Sequence, residues 1–312
     1  MLQFCVGTSR SADLYSKDTL AQLRAAGVTE LSVHDGFLMG GGVSRADVAR
    51  LRGLLDEAGI RAATSHPPFG SWNDGFSTLH QTKDALAEEL DWMREFLARC
   101  GVLGIRAIPL HTGGAMLPAS KEWEIEIARA YVRALLPAAE AAGVVIAVEN
   151  TNHADPVGWG PGVQEKVEID RNRWEYDDTE KVVAFVEGFH SPFVRVCYDT
   201  GHSHLLGKVM EDFYAFAPYT ALFHIHDNDG AWSDSHLQPG YGNTPWSALL
   251  GEIERRGMDA PLFIEARPQY GDTALMLREL AAIAEGRVDV LPGGFLRKDP
   301  ATGRIVIREG AK

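Results

Sequence analysis

A chain of 312 residues, 45% hydrophobic and 23% charged, has room for one large domain or two ordinary ones with a full core. Its net charge of −13 disfavours broad contact with polyanions, and no run of about 18 apolar residues offers a membrane span. Cys5, Cys100 and Cys197 are scattered and odd in number, and the N-terminus lacks the basic-then-apolar pattern of a signal peptide. Both features predict a reducing cytoplasm and argue against a disulfide framework.

Leu2 to Gly7 is an apolar run that reads as a first strand. Asp18 to Ala26 follows with helical spacing and stops at Gly27. Val28 to Val33 is a second strand ending in His34-Asp35, before a glycine-rich loop, GFLMGGG. Ser44 caps a helix to Ala58, with Gly59 as its stop. Ile60 to Ser65 is a third strand ending in His66; the helix Thr78 to Cys100 and a fourth strand, Gly104 to Leu110, lead to His111. A helix from Glu122 to Ala142 precedes the unbroken apolar strand Val144 to Val148, which ends in Glu149-Asn150. Thr151 to Asp177, rich in Gly, Trp and charge, has the length of a functional lid. Asp178 to Gly188 is helical, and Phe193 to Tyr198 is a sixth strand ending in Asp199. A short helix, Lys208 to Phe216, leads to a seventh strand, Ala221 to Ile225. Trp246 to Arg256, Leu262 to Ile264 and Thr273 to Ala284 complete the pattern.

Eight strand–helix units with strands apolar throughout predict buried parallel strands, and hence a single (β/α)8 TIM barrel over residues 1–285. The tail, 286–312, carries two short runs around a Pro-Ala-Thr-Gly turn and reads as an appended hairpin, a candidate contact in a homo-oligomer.

Nine residues stand at or just beyond strand ends: His66, His111, Glu149, Asp199, His202, His226, Asp234, His236 and Glu265. Singly, each has an ordinary explanation, such as a loop histidine or a pairing of Glu265 with Arg267. Together they converge on one rim of the predicted barrel, where carboxylates and imidazoles make a divalent-metal site. His224 lies two residues before His226, so it shares that strand face at greater depth and reads as a structural or supporting histidine. No glycine loop leads into a phosphate-binding pattern, so no nucleotide cofactor is expected and an unphosphorylated substrate is favoured.

The segments VENT at Glu149, YDTGH at Asp199, HIHDND at His226, DSHLQPGYG at Asp234 and FIEAR at Glu265 resemble the xylose isomerase-like TIM-barrel superfamily. That group holds sugar isomerases and epimerases and the endonuclease IV branch. The resemblance to the epimerases implies one divalent metal (Mn, Zn, Co or Mg) on Glu149, Asp199, His226 and Glu265. It also implies that Glu149 and Glu265 are catalytic, exchanging a proton with opposite faces of a sugar carbon. His202 and His236 match substrate-contacting positions, although the His236 position is an arginine in those epimerases. His66, His111, Asp234 and Arg267 are further candidates for substrate contact, with Trp72, Trp159 and Phe69 suited to stacking on sugar rings.

The resemblance leaves other chemistries open. In endonuclease IV-like enzymes all nine positions bind three zinc ions for cleavage at abasic DNA. The net charge of −13 and the scarcity of basic residues in the loops after the second, third and fifth strands weigh against a nucleic-acid substrate. A metal-dependent lyase or hydrolase acting on keto-sugars or glycosides would use the same apparatus. A sugar-binding protein without catalysis has no need for two glutamates among its ligands.

Overall fold

The computed structural model describes residues 2–8, 13–67, 83–111, 121–150, 179–228, 230, 234–266, 268, 271–286, 296–298 and 305–307. Eight parallel strands close into a barrel in chain order: β1 (Phe4–Gly7), β2 (Glu30–Ser32), β3 (Arg61–Thr64), β4 (Ala107–Leu110), β5 (Val145–Glu149), β6 (Val194–Asp199), β7 (Thr220–Ile225) and β8 (Leu262–Ile264). β8 pairs back onto β1, with Cys5 opposite Phe263. The expected (β/α)8 barrel is therefore the observed fold.

The helices around it are α1 (Lys17–Ala25), α2 (Gly36–Met39), α3 (Arg45–Ala58), α4 (Lys83–Leu103), α5 (Lys121–Ala142), α6 (Thr179–Glu187), α7 (Thr200–Leu205), α8 (Val209–Phe216), α9 (Trp246–Arg255) and α10 (Thr273–Ala284). α3 shows how local chemistry fixes an element. The Ser44 side chain accepts from the Asp47 amide while the Asp47 carboxylate accepts from the Ser44 amide, and Gly59 closes the helix at φ 66°. None of the helices among the described residues is long and apolar enough to cross a membrane.

Two of these helices were not expected. Gly36–Met39 forms a single turn where a loop was predicted, because Leu38 is buried in the outer core and Phe37 and Met39 pack against that core. Thr200–Leu205 is helical because Asp199, at the end of β6, turns its carboxylate back to accept from the His202 amide. A strand-end carboxylate serving as a helix cap is invisible to hydrophobic periodicity.

Two concentric layers fill the interior. Outside the barrel, Leu20, Leu51, Phe96, Val132, Phe213 and Trp246 seal helices onto strands. Inside it, Cys5, Ala63, Ala107, Ala147, Cys197, Leu222 and Phe263 form a separate plug. Successive inward side chains on a strand lie two residues apart, so the next layer toward the C-terminal rim contains Glu149, Asp199, His224 and Glu265. The polar site thus rests directly on a floor of small apolar side chains. At the far end of the chain, β9 (Leu296–Lys298) and β10 (Ile305–Ile307) pair antiparallel, with Val306 opposite Arg297.

Candidate metal centre

Glu149 ends β5, Asp199 ends β6, His224 lies within β7 and Glu265 follows β8. Each offers one ligand atom, and these four atoms lie within 4.8 Å of one another. His224 Nδ1 is 2.9 Å from Glu265 Oε2, 3.2 Å from Glu149 Oε2 and 3.9 Å from Asp199 Oδ2. Glu149, Asp199 and His224 are fully buried, and Glu265 is largely so. Three carboxylates are held together in a dry interior, and their ion pairs among the described residues are all to histidines. Such a concentration of negative charge could hold a cation beside those histidines.

A second group stands nearer the rim. His226 Nε2 lies 3.1 Å from both oxygens of Asp199, and its ring stacks on His236 with centroids 4.1 Å apart. Asp234 Oδ2 faces His202 Nε2 at 3.1 Å and His236 Nε2 at 3.0 Å. The opposite nitrogen of each ring donates to a carbonyl: His202 Nδ1 to Asn150 O at 2.8 Å, and His236 Nδ1 to Glu265 O at 2.8 Å. Metal-ligating histidines are commonly oriented this way, with one nitrogen anchored on backbone and the other presented to the ion. A third group joins His111, whose Nε2 is 3.1 Å from Glu149 Oε2, with His66, whose Nδ1 donates to Pro67 O at 2.6 Å.

The donor set fits a divalent cation, since carboxylates and imidazoles suit manganese, zinc, cobalt and magnesium to differing degrees. Unpaired buried atoms make the same point: both nitrogens of His224, His226 Nδ1 and Asp234 Oδ1 lack a well-aligned hydrogen bond. Isolated polar atoms in an interior are costly, and a cation among them removes that cost.

Several residues that the sequence analysis passed over hold the ligands in place. Asn150 Nδ2 donates to Asp199 O at 3.0 Å while its Oδ1 accepts from the Asp199 amide at 2.7 Å, clamping β5 to β6. The only sequence signal for this was its place beside Glu149. Asp227 accepts six hydrogen bonds, from the amides of Asn228, Gly240, Gly242 and Thr244, from Thr244 Oγ1 and from Trp246 Nε1. Its own amide and carbonyl pair with Leu237, tying down the segment that carries Asp234 and His236. His236 itself adopts φ 44°, an uncommon conformation for a non-glycine residue, of the kind that collects at functional sites.

Gly201 is required by close approach. A Cβ there would lie 1.9 Å from His226 Cε1. Gly201→Ala is therefore expected to push the His226 ring off Asp199 and weaken divalent-ion binding while leaving the outer core intact. Calorimetric titration with manganese checks this; unchanged affinity would show that His226 does not need its observed position.

Charge states follow from the contacts. Burial pushes the Glu265 carboxyl up, but His224 beside it outweighs burial and holds it at about 2. Burial likewise opposes ionisation of Glu149, yet His111 and His224 hold it well below the usual carboxylate range. Burial, with His111 adding to it, lowers His66 to about 4. His236 moves the other way: burial lowers it, but the hydrogen bond to Asp234 prevails and lifts it to about 9. A group raised on folding stabilises the fold fully below its unfolded value and loses that contribution as pH climbs through the folded value. The ion-free protein is thus expected to lose stability from about pH 7 to pH 10 through His236, as urea midpoints across that window would register. A His236→Gln variant should flatten the decline, and an equally steep decline in it would assign the effect elsewhere.

Of the residues predicted for the site, His66, His111, Glu149, Asp199, His202, His226, Asp234, His236 and Glu265 come together around these three groups. His224, expected deeper as a support, is instead the histidine of the inner quartet, and His226 stands with Asp199 and His202. Trp72, Trp159, Phe69 and Arg267, like the whole of the expected lid at 151–177, lie outside the described residues.

Comparison with known proteins agrees with the barrel fold. The xylose isomerase-like TIM barrel family matches residues 20–285. The uncharacterized protein y4fM of Sinorhizobium fredii is 40% identical over 81 residues, so the match spans 25% of this chain and 25% of that protein. Among solved structures, apo 3-keto-D-glucoside 4-epimerase YcjR from E. coli superposes with a TM-score of 0.69 at 13% identity, over 90% of this chain and 100% of the other. A xylose isomerase domain protein from Planctomyces limnophilus gives 0.65 at 19% identity, over 91% and 96%. D-psicose 3-epimerase from Clostridium cellulolyticum H10, with D-tagatose bound, gives 0.62 at 17% identity, over 90% and 91%. At such identities the likeness to these structures is one of fold.

Proposed function

The chain belongs to the xylose isomerase-like TIM-barrel family, and from that premise we propose that it is a divalent-metal-dependent isomerase or epimerase of a sugar, keto-sugar or polyol. The observation that carries this reading is the pairing of Glu149 and Glu265, from β5 and β8, in one buried cluster with Asp199 and His224. A divalent ion held there would polarise a sugar carbonyl or hydroxyl and acidify the neighbouring C–H.

The protein's own groups do the rest. Glu149 and Glu265 are both held ionised, as a base must be, and they flank the cluster from different strands. One can take a proton from the reacting carbon, and the other, once it has taken up a proton from solvent or a neighbouring imidazolium, can return one to the opposite face. His202 and His236, each fixed by a backbone carbonyl, would orient substrate hydroxyls from the rim, with His111 and His66 on the opposite side. Trp72 and Trp159 are candidates to stack on the sugar ring, and Arg267 to meet a substrate oxygen. The family resemblance and the epimerase activities named for the neighbouring structures support a sugar substrate. Residues 1–285 would carry this activity in the reducing cytoplasm, with 286–312 as an appendage that can contact a second copy.

A second reading, a three-zinc phosphodiesterase acting on abasic DNA, is favoured by one observation: donors beyond the inner quartet form two additional groups, at His66–His111–Glu149 and around Asp234. A net charge of −13 weighs against it. Elemental analysis of protein purified without chelator, paired with assays on a panel of ketoses, aldoses, polyols and 3-keto-glycosides, separates the two. About one divalent ion per chain and interconversion of a sugar are expected for the isomerase. Three zinc ions together with nicking of abasic DNA would replace it with the second reading.

A further inference from the structure

The end of the barrel opposite the metal centre carries its own concentration of charge. Helix C-termini meet strand N-termini there, around a cavity of about 530 Å³. Its walls include Arg24 from the last turn of α1, Arg52 from the middle of α3, Arg61 at the start of β3 and Gly104 just beyond α4. Three guanidinium groups thus share one cleft in a chain whose net charge is −13.

Each guanidinium is held from one side. Arg61 Nη2 pairs with Glu30 Oε1, a carboxylate only 2% exposed. Arg52 Nε donates to both oxygens of Asp56, at 3.2 and 3.0 Å. Its Nη1 lies so close over Gly104 that a Cβ there would stand 2.0 Å away. Arg24 Nη1 donates to Val28 O at 3.5 Å, and no carboxylate partners Arg24 among the described residues. A guanidinium offers five N–H donors in a rigid fork, so these contacts fix the groups and leave further donors to face the cleft. Arg52 and Arg61 each keep 45% of the side chain exposed.

The ordinary explanations cover only part of this. A cation in the last turn complements the helix dipole, which accounts for Arg24, and buried Glu30 accounts for Arg61. Arg52 stands at mid-helix, and its partner Asp56 is 60% exposed, where an ion pair contributes little. Neither explanation calls for a cleft between the three. Arg24, Arg52 and Arg61 against Asp56 and Glu30 leave one positive charge in excess. The helix C-termini around them repel anions, so a bound anion would depend on the guanidinium forks themselves.

We propose that this cleft binds a small phosphate-bearing anion, either a phosphorylated metabolite such as a sugar phosphate or free phosphate itself, through Arg24, Arg52 and Arg61. Guanidinium forks match phosphate oxygens two at a time, and the volume is that of a small-molecule pocket. The donors are side chains from α1, α3 and β3, which is why no glycine-rich phosphate loop announces the site in the sequence. Lying at the far end of the barrel, the anion is not the substrate of the proposed reaction, and its binding stands or falls independently of that reaction.

Calorimetric titration of the full-length protein, as purified, with inorganic phosphate and separately with glucose 6-phosphate tests this in chloride buffer of matched ionic strength. Saturable binding is expected. Arg24→Gln and Arg52→Gln, at exposed positions, are each expected to weaken it by at least about tenfold, the low end for a hydrogen bond to a charged group. Urea midpoints measured without phosphate verify that both variants fold. His236→Gln, at the other end of the barrel, should leave the affinity unchanged. Glucose 6-phosphate binding about tenfold tighter than phosphate, or more, identifies a phosphorylated metabolite as the ligand; affinities equal or in favour of phosphate identify the free ion. The proposal is overturned by the lack of saturable binding up to about 10 mM of either anion, or by undiminished affinity in either arginine variant. Binding lost in His236→Gln would place the anion at the metal centre and overturn it equally.

Discussion

Glu149→Gln and Glu265→Gln are each expected to lose at least about a hundredfold in turnover at constant metal occupancy, the low end for general acid–base catalysis. Glutamine keeps the shape and one oxygen ligand of each glutamate but cannot accept a proton at neutral pH. Glu149 is buried and Glu265 largely so, both beside His224, so Glu149 cannot borrow a proton acceptor from bulk water without rearrangement. The two variants should differ in one respect. The variant lacking the abstracting base loses solvent exchange at the reacting carbon, whereas the one lacking the returning acid retains exchange while net conversion stops. Saturating manganese and measured occupancy separate this from simple loss of the ion. Near-normal turnover in both variants would rule out proton transfer by this pair.

The largest stability effect is expected at Asp227, outside the donor set. Its carboxylate is fully buried and accepts from six donors spread over residues 228–246. Asp227→Asn would turn an amide N–H₂ toward several of those donors, and Asp227→Ala would leave all of them unpaired. Each buried donor stranded this way costs about 1–3 kcal/mol, with partial relief as the loop relaxes. A loss of about 4 kcal/mol is therefore expected in urea unfolding, in the range reserved for disrupted buried networks. The damage should also travel. Gly242 packs so closely on Asp227 that a Cβ would lie 2.3 Å from Oδ1, and the Asp227–Leu237 pair anchors the stretch bearing Asp234 and His236. Manganese affinity of the rim group should fall with stability. A change under about 1 kcal/mol would mean that the loop holds its shape by other contacts.

β4 and β5 were readable because each is an apolar run flanked by punctuation, and burial on both faces leaves few other patterns open to it. Chemistry-bearing residues at the ends of those runs were readable for the same reason: His111 and Glu149 mark where apolar spacing stops. Depth was not readable. His224 and His226 obey the same two-residue period, and only the stagger between β6 and β7 decides which of them is level with Asp199. Nor could α7 be anticipated, since its capping residue already served as the expected metal ligand. Asp227 shows the remaining limit. In sequence it is one acidic residue in a polar stretch, and its six donors come from a loop whose path is set by tertiary contacts.

Deuterium wash-in at the reacting carbon tests the central claim most directly. Manganese-loaded protein in heavy water, given the sugar panel and followed by NMR, should place one deuterium on the carbon next to the carbonyl of a single substrate class. Chelation should abolish the exchange and added manganese restore it. Absence of exchange on every sugar tested, alongside metal-dependent cleavage of abasic DNA by the same preparation, would contradict the account.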